Sequence, residues 1–298
     1  MTPTVTKETR GSTRPGVPTG AEPSSSVDNR DHLSPGRREM GRQTVSVITG
    51  ASRGIGRAVG LLLGRTGGTV VVNYRRDTAA AENTVRDIAA CGGHAVAVQA
   101  DIGTETGIRE LFAVAESYGR LDHFVSNAAG SPLREATEVA SHHLRLSHEM
   151  NTGAFVRGSQ EAARLMTEGG AIVVLTSVGS TQALPGYALM GAEKASLEAW
   201  TRYLACELAP RRVTVNAVRG GLVRTDALDT YSVATGVDHA DMVRSIPLGR
   251  LGTAGEIAQL VAFLLSPAAA YITGQVVVAD GGMSVASPFP GRFSDADG

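Results

Sequence analysis

Residues 45–56, VSVITGASRGIG, carry a short β-branched run straight into a glycine-rich turn and then into a helical pattern. The same rhythm repeats from Thr44 onward. TVVVN precedes a helix through AAENTVRDIAA, HAVAVQA precedes TGIRELFAVAESYG, LDHFVSN precedes a helix reaching Met150 to Met166, and AIVVLTS precedes a helix from Tyr187 to Leu208. The strand VTVNAV, the helix GEIAQLVAFLLS and the strand QVVVA close the series. Short apolar strands alternating with helices predict an α/β fold, a single Rossmann-type doubly wound parallel sheet with helices on both faces.

The opening glycines lie where strand passes into helix, at the carboxyl edge of such a sheet. Gly50 permits the tight turn, Gly54 lets backbone amides approach a pyrophosphate, and Gly56 allows the helix to pack closely on the strand. Ser52, Arg53 and Ile55 complete that turn. A glycine-rich match alone is weak, and its placement between strand and helix is what points to a dinucleotide. The second strand ends VVVNYRRD without the acidic residue that would bind a ribose 2′-hydroxyl. Arg75 and Arg76 stand there instead, with Arg53 in the glycine turn, and guanidinium groups at this place match the 2′-phosphate of NADP. The expected cofactor is therefore NADPH, although any one of these arginines also reads as a solvated surface charge.

With TGASRGIG stand Ala100-Asp101 after the third strand, SNAAG at 126–130, Asn151, Ser177, Lys194, VNAVRGGLVRT and ITGQVVVADGG. Together they resemble the short-chain dehydrogenase/reductase family over nearly the whole chain after residue 43. The resemblance implies an NAD(P)-dependent enzyme, a homodimer or homotetramer. It assigns Asp101 and Ile102 to the adenine, Asn127 and Ala128 to the coenzyme wall, and Thr225 to the nicotinamide amide.

One departure decides the expected chemistry. The family places its tyrosine four residues before the lysine, where this chain has Met190, and methionine neither donates nor accepts a catalytic proton. Tyr187 stands seven residues before Lys194. On a helix that spacing is two turns less roughly 20°, which keeps both on one side about 10 Å apart along the axis. Tyrosine, six residues and lysine is the pattern of the enoyl-thioester reductases. YALMGAEKASLEAWTRYLACELAP resembles the enoyl-acyl-carrier-protein reductase III branch, which includes reductases of cycloalkenylcarbonyl thioesters in antibiotic pathways. Ser126 and Ala129 in place of the common NNAG, and Gly220-Gly221 in place of Pro-Gly, fit the same branch.

By that resemblance Tyr187 hydrogen-bonds the thioester carbonyl and stabilises an enolate. Lys194 holds the nicotinamide ribose and favours a more acidic Tyr187. Ser177, placed for the shorter spacing, assists the carbonyl. The expected function is NADPH-dependent reduction of an α,β-double bond in an enoyl-CoA or enoyl-carrier-protein thioester. The alternatives are a 3-oxoacyl or other ketone reductase, with Tyr187 protonating an alkoxide, and a non-catalytic NADP sensor that kept only the coenzyme contacts.

Composition limits the remaining classes. With 42% apolar residues and a formal net charge of −1, the chain has material for a large core and no long-range field for nucleic acid or an anionic membrane. No segment has the apolar length of a membrane span, so a cytoplasmic enzyme is expected. Residues 1–42 hold five of the twelve prolines and no aromatic residue, and read as a disordered tail. The catalytic domain is placed at 43–286 and a C-terminal tail at 287–298.

Cys91 and Cys206, in Ala-rich helical contexts, read as buried free thiols. His142, His143, His148 and Glu149 raise a metal hypothesis, but their spacing lacks HExxH logic and a solvated helix face is the simpler reading, so no metal is expected. Asn151 either shapes a water chain or satisfies backbone groups. Trp200 and Tyr203 are expected to pack against another subunit. The segment from Leu222 to Arg250, with Tyr231 and few regular signals, is expected to cover the acyl pocket, with Arg224, Arg244 or Arg250 meeting a carrier phosphate.

Overall fold

The computed structural model describes residues 43–286. The tails expected at 1–42 and 287–298 lie outside the described residues. Seven parallel strands form one sheet in the order β3-β2-β1-β4-β5-β6-β7: β1 Val45–Ile48, β2 Thr69–Tyr74, β3 His94–Gln99, β4 His123–Ser126, β5 Gly170–Ser177, β6 Val213–Gly220 and β7 Val276–Ala279. The helices are α1 Gly54–Gly64, α2 Thr78–Ala90, α3 Glu105–Glu116, α4 Ser141–His148, α5 Ala154–Leu165, α6 Ala188–Leu208, α7 Asp226–Thr235, α8 His239–Arg244 and α9 Ala254–Leu265. Strand order reverses between β1 and β4, and a crevice at that switch point is where such sheets bind ligands.

Successive strand residues serve opposite faces. Val45, Val47, Val71, Ile172 and Val174 pack with Phe112 of α3, Phe155 of α5 and Leu197 of α6. Ile48, Val70, Val72, Val173 and Leu175 face the other way, against Val59 of α1, Ile88 of α2 and Val261 of α9. Burial on both faces is why these strands read as continuous apolar runs rather than alternating ones. Phe112 and Phe124 meet edge to face, 5.3 Å between centroids, and each buried ring contributes about 2–3 kcal/mol.

Helix starts are fixed by local chemistry. Asp77 accepts the Ala80 amide at 3.0 Å and Thr104 accepts the Gly107 amide at 3.0 Å, each satisfying a donor that the first turn leaves open. Thr253 and Glu256 form a reciprocal capping box at α9.

Two expectations need correction. Cys91 and Cys206 are exposed, because Cys91 sits at the turn that ends α2 and Cys206 shares the outer side of α6 with exposed Tyr203. Small neighbours in a helix say little about which side faces the core. The region after Leu222 is also more regular than its sequence suggested. It forms α7 and α8, gathered around a small core of Leu228, Met242, Ile246 and Leu251.

Candidate active site

The glycine turn leaves β1 with Gly50 at φ 61° and Gly54 at φ 56°, a region closed to most side chains. A Cβ on Gly56 would lie 2.5 Å from the Gly50 carbonyl oxygen and 2.6 Å from Asn127 Nδ2, so the turn forms a cradle that only glycine permits. Its shape is held from two strands. The Asn127 side-chain amide donates to the Thr49 and Gly50 carbonyls at 2.9 and 3.0 Å, while the Asn127 and Ala128 backbone amides donate to Thr49 Oγ1. From β2, Asn73 Oδ1 accepts the Gly50 amide at 3.3 Å and Asn73 Nδ2 donates to the Ala100 carbonyl at 3.1 Å. Thr84 reaches back to the Ser52 carbonyl at 3.0 Å. Asn73 and Thr84 were not singled out in the sequence, although a polar residue at the tip of an apolar strand is a readable signal.

Cationic groups gather beside this cradle. Arg75 and Arg76 are exposed past β2 without acidic partners among the described residues, and the nearby Asp77 carboxylate is engaged in capping α2. Arg53 reaches Asp226 at the start of α7, 3.4 Å away. Thr225 adjoins the turn, its Cγ2 3.7 Å from where a Gly54 Cβ would lie. Asp101 is exposed and accepts the Gly103 amide at 3.0 Å. The Ile102 side chain is 2% exposed and belongs to the core, so only its backbone is available for the adenine contact expected of it. The cradle, beside two guanidinium groups without acidic partners among the described residues, fits a dinucleotide.

Across the crevice, Tyr187 meets Ser177, and Lys194 reaches the same strand two residues earlier, at Leu175. Tyr187 Oη lies 3.5 Å from Ser177 Oγ, closer than the longer sequence spacing suggested, and Ser177 Oγ also accepts the Gly179 amide. The Tyr187 ring lies against Gly179, where an added Cβ would come within 2.6 Å of the ring. Burial raises the Tyr187 phenol above its ordinary value, and the Ser177 hydrogen bond only partly offsets this. That differs from the expected acidification by Lys194. The Lys194 ammonium is 6% exposed and donates to the Leu175 carbonyl at 2.7 Å, and burial lowers its own pKa to about 8 against the opposing Glu193 charge.

Behind them lies a polar cluster that the sequence did not reveal. Glu198, one turn beyond Lys194, accepts hydrogen bonds from Thr176 at 3.0 Å, Ser180 at 2.7 Å and both arms of Arg219 at 2.9 and 2.6 Å. Burial alone would raise this carboxyl, but Arg219, Ser180 and Thr176 together hold it low. Ser177 is thereby bracketed by residues tied to α6.

Asn151 sits in a π-helical turn, Glu149–Gly153, and its amide donates to the Ser147 and Gly130 carbonyls at 2.7 and 2.9 Å. Of the histidine cluster, His148 faces Glu193 at 3.6 Å, and Glu149 pairs with Arg157 at 2.7 Å. Among the loop arginines, Arg250 is forked onto Glu256 and Arg244 pairs with Asp241, while Arg224 is exposed without such a partner among the described residues. A cleft of about 490 Å³ opens beside Tyr187, lined by Arg134, Gln182, Leu184, Pro185 and Ala192 among others.

A doubly wound sheet with this turn at its switch point and a tyrosine and lysine on the facing helix defines an NAD(P)-dependent oxidoreductase of the short-chain dehydrogenase/reductase class. Residues 50–284 match the family described as Enoyl-(Acyl carrier protein) reductase, and the chain belongs to it. The chain is 50% identical to a 1-cyclohexenylcarbonyl-CoA reductase of Streptomyces collinus, covering 86% of this chain and 91% of that one. It is 37% identical to a 3-oxoacyl-[acyl-carrier-protein] reductase of Synechocystis, covering 80% and 96%. Among solved structures it resembles a short chain dehydrogenase from Burkholderia cenocepacia in complex with NADP, with a TM-score of 0.76 at 33% identity over 83% of this chain and 100% of that one. The expected superfamily and its enoyl-reductase branch are borne out.

Proposed function

We propose that the protein is an NADPH-dependent enoyl-thioester reductase that saturates an α,β-double bond conjugated to a CoA or carrier-protein thioester, with a cycloalkenylcarbonyl group as the acyl part. The observation that carries this reading is the head of α6: Met190 occupies the position four before Lys194, while Tyr187, seven before it, lines the cleft with its hydroxyl beside Ser177. The likeness to the cyclohexenylcarbonyl reductase of Streptomyces collinus supports it.

In this reading residues 43–286 form the catalytic unit of a cytoplasmic enzyme. No described helix is long and apolar enough to cross a membrane. Trp200 and Tyr203, 40% and 66% exposed on α6, supply a face for a second subunit of a homodimer or homotetramer.

Gly50, Ser52, Gly54, Ile55 and Gly56 cradle the pyrophosphate, Asn127 and Ala128 wall the crevice, and Asp101 and the Ile102 backbone meet the adenine. Arg75, with Arg53 released from Asp226, holds the 2′-phosphate, and Thr225 meets the nicotinamide amide. NADPH, when bound, supplies a hydride. Tyr187 donates a hydrogen bond to the thioester oxygen and stabilises the negative charge that collects there as the β-carbon is reduced, and the α-carbon takes its proton from water as that charge is discharged. Burial keeps its phenol protonated at neutral pH, as a donor requires. Ser177 fixes the direction of the Tyr187 hydroxyl. Lys194, cationic below about pH 8, holds the ribose hydroxyls.

The 3.5 Å approach of Ser177 to Tyr187 favours a second reading, reduction of a 3-oxoacyl thioester with Tyr187 protonating the alkoxide. NADPH oxidation by the purified protein, offered crotonyl-CoA, 1-cyclohexenylcarbonyl-CoA and acetoacetyl-CoA, separates the two. Turnover of the enoyl thioesters, reduced to a small residual rate in Tyr187→Phe, is expected. Turnover of acetoacetyl-CoA alone replaces the first reading with the second.

A further inference from the structure

Tyr187 caps α6 rather than belonging to it, with φ −98° and ψ 8° and no side-chain capping bond. The helix therefore holds its carbonyl, which accepts the Gly191 amide at 2.7 Å, but does not aim its ring. The preceding residue, Gly186, has φ 65°, so the chain turns sharply just before the tyrosine. For a tyrosine inside a helix the backbone fixes the direction of the side chain. Here that direction has to come from contacts outside α6.

Two neighbouring segments supply them. On one side, the Arg134 amide donates to the Gly186 carbonyl at 2.8 Å. On the other, Tyr231 of α7 meets the Tyr187 ring edge to face, 5.9 Å between centroids at 88°, and its hydroxyl donates to the Pro185 carbonyl at 3.2 Å. Tyr231 is itself seated on the small core that joins α7 to α8. The Tyr187 ring thus packs against both the bare backbone of Gly179 and a second aromatic ring set perpendicular to it.

We propose that Tyr231 is a positioning residue for Tyr187: the perpendicular packing of its ring fixes the tilt of the Tyr187 ring, and its hydroxyl fixes the Pro185-Gly186 turn that presents it. The proposal rests on Tyr187 being the group that meets the substrate oxygen. It makes the placement of that group depend on α7, the same element whose first residue, Asp226, is paired with Arg53 of the glycine turn. Tyr231 thus ties the placement of Tyr187 to α7, and the longer spacing between Tyr187 and Lys194 is usable because α7 supplies the restraint that the helix does not.

The test is a double-mutant cycle on the full chain, with NADPH and whichever of crotonyl-CoA or acetoacetyl-CoA the wild type reduces. Tyr231→Phe keeps the ring and removes the strut to Pro185, and kcat is expected to fall about fivefold, the worth of one hydrogen bond. Tyr231→Leu removes both contacts, and kcat is expected to fall about fiftyfold, the strut and an aromatic pair together. KM, NADPH affinity and the number of NADPH molecules bound per chain should stay within about twofold of wild type. In a Tyr187→Phe background the further loss from Tyr231→Phe should shrink below about twofold, because a residue that acts through another has nothing left to position.

Equal losses in the two backgrounds would overturn the proposal, as would a loss carried wholly by KM or NADPH affinity, or no loss in either variant. Should Tyr231→Leu fail to fold, Tyr231→Phe carries the test alone, since it removes one oxygen. Turnover of acetoacetyl-CoA alone would overturn the enoyl reading and leave the Tyr231 cycle to be read on that substrate.

Discussion

The two walls of the crevice are built differently. The glycine turn between β1 and α1 is held by backbone groups and by short polar side chains at strand ends, with Asn127, Thr49 and Asn73 all within hydrogen-bonding distance. The Tyr187 wall is assembled from four separate segments: the end of β5, the head of α6, α7 and the chain around Arg134. The first wall is stiff because the sheet determines it. The second is tunable, because three of its segments, the head of α6, α7 and the chain around Arg134, can change without disturbing the sheet.

The largest expected effect strikes the second wall. Tyr187→Phe removes one oxygen from a ring that stays packed between Gly179 and Tyr231, and kcat should fall by about a thousandfold while thermal stability stays near wild type. A fall of less than about tenfold would mean that the tyrosine does not meet the reacting oxygen, and the contrast between the walls would lose its chemical meaning. The counterpart on the first wall is Gly56→Ala. Its Cβ would press on the Gly50 carbonyl and Asn127, and relieving contacts of 2.5 and 2.6 Å costs about 1–3 kcal/mol. NADPH affinity, measured by titration calorimetry, should weaken by about ten- to hundredfold with kcat at saturating cofactor far less affected. If kcat fell instead, the turn would be serving the chemistry as well as the cofactor.

The same difference explains what could be read in advance. The sheet, its order of elements and the glycine turn follow from local periodicity and from residues adjacent in the chain, so VSVITGASRGIG placed the turn, and the strand-helix alternation after it placed the sheet. Met190 could be read against Lys194 because a helix converts spacing into geometry, whereas Tyr187, at the cap of α6, could be picked out by its spacing but not aimed by it. The Glu198 cluster could not, because its partners Thr176, Ser180 and Arg219 lie on three other segments, and β5 and β6 come into register only in the folded sheet. Tyr231 was placed in the segment over the acyl pocket, but its contact with Tyr187 could not be read for the same reason, and because α7 and α8 are organised around a small core of their own. Ile102 shows what a motif leaves open: the resemblance assigns it to the adenine, and its buried side chain leaves only the backbone for that contact.

A third expected effect concerns pH. Lys194 is held down to about 8 from an ordinary 10.5 by burial, so the folded chain gives up this proton at lower pH than the unfolded chain does. The cost of burying the ammonium is present below about pH 8 and is relieved as pH rises towards 10.5, so this group makes stability rise across that window. Activity moves the opposite way. With the cation needed to hold the ribose, kcat/KM should fall about tenfold per unit above its pKa. Tyr187, pushed above its ordinary value, does not produce that limb. Lys194→Arg, slower but still charged, should show a flat profile over the same range, and a limb retained in that variant would assign the titration elsewhere.

The smallest effect separates the cofactors. Arg75 is exposed, so its attraction for a 2′-phosphate is screened by water and salt, and Arg75→Ala should cost only about tenfold in NADPH affinity while leaving NADH binding unchanged. The loss should shrink as ionic strength rises, because a charge contact at the surface weakens over the Debye length whereas the pyrophosphate contacts in the cradle are backbone hydrogen bonds. Equal losses for NADPH and NADH would place Arg75 on the shared part of the nucleotide. A loss seen only in Arg53→Ala would move the 2′-phosphate to the arginine that now pairs with Asp226, and would make the start of α7 part of both walls.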